Sequence, residues 1–108
     1  MTDDVVSLVR KGMAYLDERY PGHDSRVNLD TLNVGDSIRC PLAQAHGAYY
    51  AKAREAQHLS EQASIKLGFS VWYFSASQVL QDMQALTDEW RRQYTQRAEA
   101  KALADNNI

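Results

Sequence analysis

Residues 75–103 read SASQVLQDMQALTDEWRRQYTQRAEAKAL, and their spacing decides the fold. Val79, Leu80, Met83, Leu86, Trp90 and Tyr94 fall on one face of a 3.6-residue helix, with Asp82, Asp88, Arg91, Arg92 and Gln93 distributed over the remainder. Ser75, followed three residues later by Gln78, fits a capping box at the start of that helix. A helix from 76 to about 102 would be roughly 40 Å long, whereas a compact chain of this size has a radius of gyration of only about 13 Å. Its last turns are therefore expected to overhang the core. Beyond Tyr94 the apolar signal thins to alanines and Leu103, so residues 103–108 are expected to fray, or the end of the helix to pack on another copy or a partner.

A second helix is expected over residues 3–20, where Val5, Leu8, Val9, Met13, Leu16 and Tyr20 recur at helical spacing behind Thr2 or Asp3 as the cap. Pro21-Gly22 stops it, because a residue before proline avoids the helical region. The stretch GHDSRVNLDTLNVGD (22–36) is rich in turn formers and carries Val27, Leu29, Leu32 and Val34, which reads as a loop pinned to the core with a short strand or helical turn as the embedded alternatives. Ser37 or Cys40 caps a short helix that tolerates Pro41 in its first turn and ends at Gly47. AYYAKAREAQHL (48–59) contains good helix formers with weak amphipathicity. Ser60 caps EQASIKL, which closes on Gly68, with Phe69 just beyond. The aromatic run FSVWYF (69–74) suits either a short β segment or an apolar connector.

With 108 residues there is room for one small domain. No stretch approaches the roughly 20 apolar residues needed to cross a bilayer, and the start MTDDVVSLVRKG is acidic where a secretory leader would be basic. A cytoplasmic protein with no membrane partner is the expectation. Cys40 is the only cysteine, so packing, not a disulfide or a cysteine zinc site, must hold the core. The formal charge of -2 argues against a general nucleic-acid binder, although residues 37–74, with four bases and two acids, are mildly basic.

Chemistry-bearing residues do not assemble in the sequence. Cys40, His46 and His58 have spacings that match no zinc pattern, with His23 the only further histidine, so no metal and no cofactor are expected. Cys40 and His46, two turns apart if they share a helix, cannot act as a nucleophile pair, and no phosphate-loop or dinucleotide motif occurs. Asp17-Glu18 and Asp88-Glu89 read as solvated helix faces. No catalytic residue is assigned and the protein is expected not to be an enzyme.

Large aromatics anchor protein interfaces, and adjacent aromatic residues cannot all enter one core. Tyr49, Tyr50, Trp72 and Tyr73 are therefore the candidate interaction surface, with Arg91 and Arg92 as steering or rim charges. The alternative is a small helical DNA-binding regulator presenting Lys52, Arg54 and Lys66 to phosphates, against which stands the acidic Ser60-Glu61-Gln62 start of the candidate recognition helix.

The ordered set LDERYPGH, RVNLDTLNV, RCPLAQAHGAYY, LSEQA and LTDEW, spread over residues 14–92, resembles a group of small accessory proteins of actinobacterial (mycobacteriophage-like) phages and prophages. That pattern favours Trp after the PG, a second apolar residue at Pro41 and Gly at Ala43, so His23, Pro41 and Ala43 depart from it. The resemblance implies an accessory product made in a bacterial cytoplasm that binds a host or phage protein. The combined expectation is a single all-α domain of four to five helices with a long C-terminal helix and a possible short β segment. Its core should include Val5, Leu8, Val9, Met13, Leu16, Leu42, Ile65, Phe69, Val79, Leu80, Met83, Leu86 and Trp90.

Overall fold

The apolar stripe of residues 75–103 becomes a 31-residue helix, and the first helix lies along it. The computed structural model describes residues 5–71 and 76–106, without the side chains of 76–80. In chain order it contains α1 (Val5–Arg19), a 3-10 turn (His23–Ser25), α2 (Pro41–His46), α3 (Tyr50–Ala56), α4 (Glu61–Lys66) and α5 (Ala76–Asn106). The fold is all-α, and no strand occurs among the described residues. The β alternative for residues 22–36 gives way to the 3-10 turn and a loop, while Trp72, Tyr73, Phe74 and the Ser75 cap lie outside the described residues. No described helix is long and apolar enough to cross a membrane.

α1 and α5 are the main packed pair, and one side chain sets how closely they approach. Trp90 is fully buried, and its ring lies so near Gly12 that a β-carbon there would sit 2.7 Å from the indole and 2.0 Å from the Leu67 carbonyl oxygen. The indole Nε1 donates to the Gly68 carbonyl at 2.8 Å, and Phe69 stacks on the ring at a centroid distance of 5.6 Å. Gly68 has φ 74°, as expected of a glycine that reverses the chain after α4. The short helix and its turn thus deliver both a hydrogen-bond acceptor and an aromatic face to Trp90.

The connections are held by caps and side-chain clamps. Of the two candidate caps before α2, Cys40 takes the position, accepting from Ala43 N at 3.4 Å, and Ser60 Oγ accepts from Ala63 N at 3.0 Å before α4. Val27, Leu32 and Val34 are buried and Leu29 packs against the core, so the 22–36 loop is pinned as its four apolar residues require. Val34 N donates to Thr87 Oγ1 at 3.0 Å, and Arg91 donates to the carbonyls of Leu29 and Leu32, both at 3.1 Å.

Some core expectations need correction. Val5, Leu8, Ile65 and Met83 are half-buried, because they lie at the edges of thin contacts in a small domain, whereas Ala43, Ala45, Ala53 and Tyr94 are buried and help fill the centre. The side chains of Val79 and Leu80 lie outside the described set. α5 is helical through Asn106, and after Tyr94 every side chain except that of Arg97 is exposed. The principal extents of 50 × 28 × 21 Å reflect that overhang.

Gly12→Ala is a direct test of the α1–α5 approach. In an exposed helix this change gains up to about 1 kcal/mol of helix propensity, but a methyl forced against backbone and indole costs about 1–3 kcal/mol or more. Chemical denaturation of the variant is expected to show a net loss of stability; a gain would mean that Trp90 does not fix the helix spacing.

Candidate functional site

Below Trp90 on α5, the next turn carries Tyr94 and Arg97, and these two residues meet three from the start of the chain. Tyr94 Oη lies 2.7 Å from His23 Nδ1, and His23 Nε2 lies 2.8 Å from Asp17 Oδ1. Nε2–H donates to the carboxylate, and Nδ1 shares a hydrogen bond with the tyrosine hydroxyl. Arg97 forks onto both oxygens of Asp17, at 3.1 and 2.8 Å, and reaches Asp24 Oδ1 at 3.0 Å. His23 is completely buried, brought back over α1 by the Pro21-Gly22 turn, where Gly22 takes φ 78°.

A carboxylate, an imidazole and a hydroxyl stand in series here, the arrangement of a nucleophilic relay, and their electrostatics follow from burial and from Arg97. Burial pushes the Tyr94 hydroxyl well above its ordinary pKa, and the nearby Asp24 charge raises it further, so the resting hydroxyl keeps its proton. Burial alone would raise the Asp17 carboxyl, but hydrogen bonds from Arg97 and His23, together with their charges, outweigh it and hold the carboxyl below its usual range. Asp17, His23 and Asp24 place one ligand atom each within 4.8 Å of one another, which is a residue set able to hold a divalent ion. Here the Arg97 guanidinium takes the cation's place on both carboxylates. No buried side-chain nitrogen or oxygen among the described residues lacks a hydrogen-bond partner. The cluster is a lock that joins α1, the 22–29 loop and α5.

The lock shapes an open cleft of about 710 Å³ at the root of the overhang. Val27, Leu29 and Ala98 give it an apolar wall, while Asp24, Arg97 and Lys101 charge its rim. Apolar walls bounded by polar rims are how protein surfaces receive side chains from a partner.

The sequence candidates fall elsewhere and behave unequally. Tyr49 is 52 % exposed, as an interface anchor requires. Tyr50 is half-buried, its hydroxyl 2.8 Å from Ser64 Oγ and within reach of Glu61, so it serves the junction of α3 and α4. Arg91 is spent on loop carbonyls, and Arg92 forks onto Glu89. Lys52 and Lys66 are exposed, but Arg54 is paired with Glu61 at 2.6 Å and donates to the Leu59 carbonyl. Trp72 and Tyr73 lie outside the described residues. Cys40 is buried and its thiol is pushed up to about 11 by desolvation, while His46 Nδ1 bonds Tyr20 Oη at 3.0 Å.

Sequence reasoning passed over the Asp17–His23–Tyr94–Arg97 cluster because its members stand up to 80 residues apart. One signal was available: Tyr94 ends an apolar stripe, and a tyrosine buried there must find a polar partner. No family model, no curated protein and no solved structure matches this chain.

Two measurements test the lock. Tyr94→Phe leaves His23 Nδ1 buried without its partner, and unfolding at neutral pH is expected to become easier by about 1–3 kcal/mol. Asp17 has a folded pKa below its unfolded value, so its contribution is present above the unfolded pKa and disappears as pH falls through the folded one. The stability gap between wild type and Asp17→Asn, modest because Asp17 is partly exposed, should therefore shrink as the solution is acidified below the ordinary aspartate range. A gap independent of pH would show that the carboxylate's charge does not hold the loop.

Proposed function

We propose that this is a non-catalytic accessory protein of phage or prophage origin, which works in a bacterial cytoplasm by binding a host or phage protein. The observation that carries this reading is the condition of its reactive groups. Asp17, His23, Asp24, Tyr94 and Arg97 are committed to one another, and Cys40 is buried with its thiol held protonated. An open cleft with an apolar wall and an exposed aromatic at Tyr49 remain available for contact. Tyr49, with Trp72 and Tyr73, supplies the anchors, and Arg92 lies on the exposed side of α5 as a rim charge. The phage context is supported by the ordered motifs from LDERYPGH to LTDEW. A DNA-binding regulator draws less support, because Arg54 is neutralised by Glu61, leaving Lys52 and Lys66 as the exposed bases of that set.

Affinity capture from a bacterial host lysate, followed by reconstitution with the purified partner, tests the proposal. Wild type should retain one discrete protein, and Tyr49→Ala or Trp72→Ala should weaken the reconstituted complex about tenfold or more. Recovery of DNA with steep salt dependence, lost on charge reversal at Lys52 and Lys66, would replace this reading by the regulator; recovery of neither sinks it.

A further inference from the structure

Three large hydrophobic side chains are exposed among the described residues: Ile38 at 65 %, Tyr49 at 52 % and Leu103 at 65 %. Two of them, Ile38 and Tyr49, lie on segments joined by a backbone hydrogen bond. Tyr50 N donates to the Ser37 carbonyl at 2.6 Å, and the residues covalently adjoining that bond are Tyr49 and Ile38. The third stands alone on the overhanging part of α5.

The charges beside these residues are complementary. Lys52 follows Tyr49 by one helical turn, and Glu99 precedes Leu103 by one turn on the same face of α5. Both are exposed, and neither takes part in an ion pair. Each apolar anchor is thus accompanied, at one turn's distance, by an unpaired charge of the sign opposite to the other's.

The arm cannot serve its own patch. The loop that leads to Ile38 docks beside the middle of α5, where Val34 N binds Thr87 Oγ1 and Gly35 lies against Met83. Leu103 is 16 residues beyond Thr87 on the same continuous helix, about 24 Å further along the axis. A continuous helix cannot turn back over that distance, so only the patch of another molecule is within reach.

We propose that the protein self-associates head to tail: the α5 arm of one copy sets Leu103 on the Ile38–Tyr49 patch of the next, and Glu99 pairs there with Lys52. The two surfaces differ, so the contact is heterologous and each assembly keeps one arm free at one end and one patch free at the other for further copies. This inference does not depend on the host or phage partner proposed above.

Sedimentation velocity on the full chain tests it between about 10 µM and about 1 mM, the range suited to a small interface. The average mass of wild type should rise with concentration. Leu103→Glu and Ile38→Asp should each associate about tenfold more weakly or stay monomeric, with unchanged helical circular dichroism because both sites are exposed. Mixed together, the two variants should form a one-to-one dimer and stop there, since one retains only a working patch and the other only a working arm. Glu99→Lys should weaken wild-type association, and adding Lys52→Glu to the same chain should restore it. A wild type that stays monomeric throughout, a single variant that associates as wild type does, or a mixture that does not pair overturns the proposal.

Discussion

The structure depends on the seat of one indole. Trp90 fits against α1 only because position 12 has no side chain, and it is oriented there by the Gly68 carbonyl and the stacked Phe69. Once that ring is placed, the helical repeat dictates the next contacts. Tyr94 comes one turn later, its ring 6.0 Å from Trp90 and 5.5 Å from His23, and Arg97 follows within reach of Asp17 and Asp24. Tyr15 closes the other end of the row, edge-on to Phe69 at 6.1 Å. A continuous line of rings therefore joins α1, the segment after α4, α5 and the 3-10 turn, with apolar contact at its centre and a hydrogen-bonded polar end.

That polar end explains how a chain with little regular structure between residues 20 and 40 holds a defined surface. Buried His23 would be costly without partners, and it has one at each ring nitrogen. Arg97 balances the two carboxylates that its helix turn meets, while Arg91 ties the following loop residues through their carbonyls. The interactions that partner these groups also make them effective fasteners. The cleft beside α5 owes its wall to this fastening, and the exposed helix beyond it owes its direction to the packed turns before it.

The residues proposed to carry binding are divided accordingly. Tyr50, Arg54 and Arg91 have the character of surface contacts in isolation, but their hydroxyl or guanidinium groups are drawn into Ser64, Glu61 and backbone carbonyls. Tyr49, one residue from Tyr50, points the other way because adjacent positions at a helix start cannot share a direction. In YY, Tyr50 is half-buried with its hydroxyl on Ser64, and Tyr49 is left to solvent.

The sequence by itself determined what depends on periodicity and on single-residue backbone preference. The long stripe through Leu86, Trp90 and Tyr94 required a helix longer than the core, Pro21 ended α1, Ser60 capped α4, and Gly68 took the left-handed turn. Only the tertiary structure decided which of Ser37 and Cys40 caps α2, that the 22–36 loop folds without a strand, and that His23 is buried against Tyr94. The physical reason is range. Helix spacing and caps are set within a few residues, whereas the polar cluster comes from segments some 70 to 80 residues apart whose meeting follows from the register of α5 on Gly12. Spacing along the chain carries no record of that register, because it is fixed by the shape of a tryptophan and the absence of a methyl group opposite it.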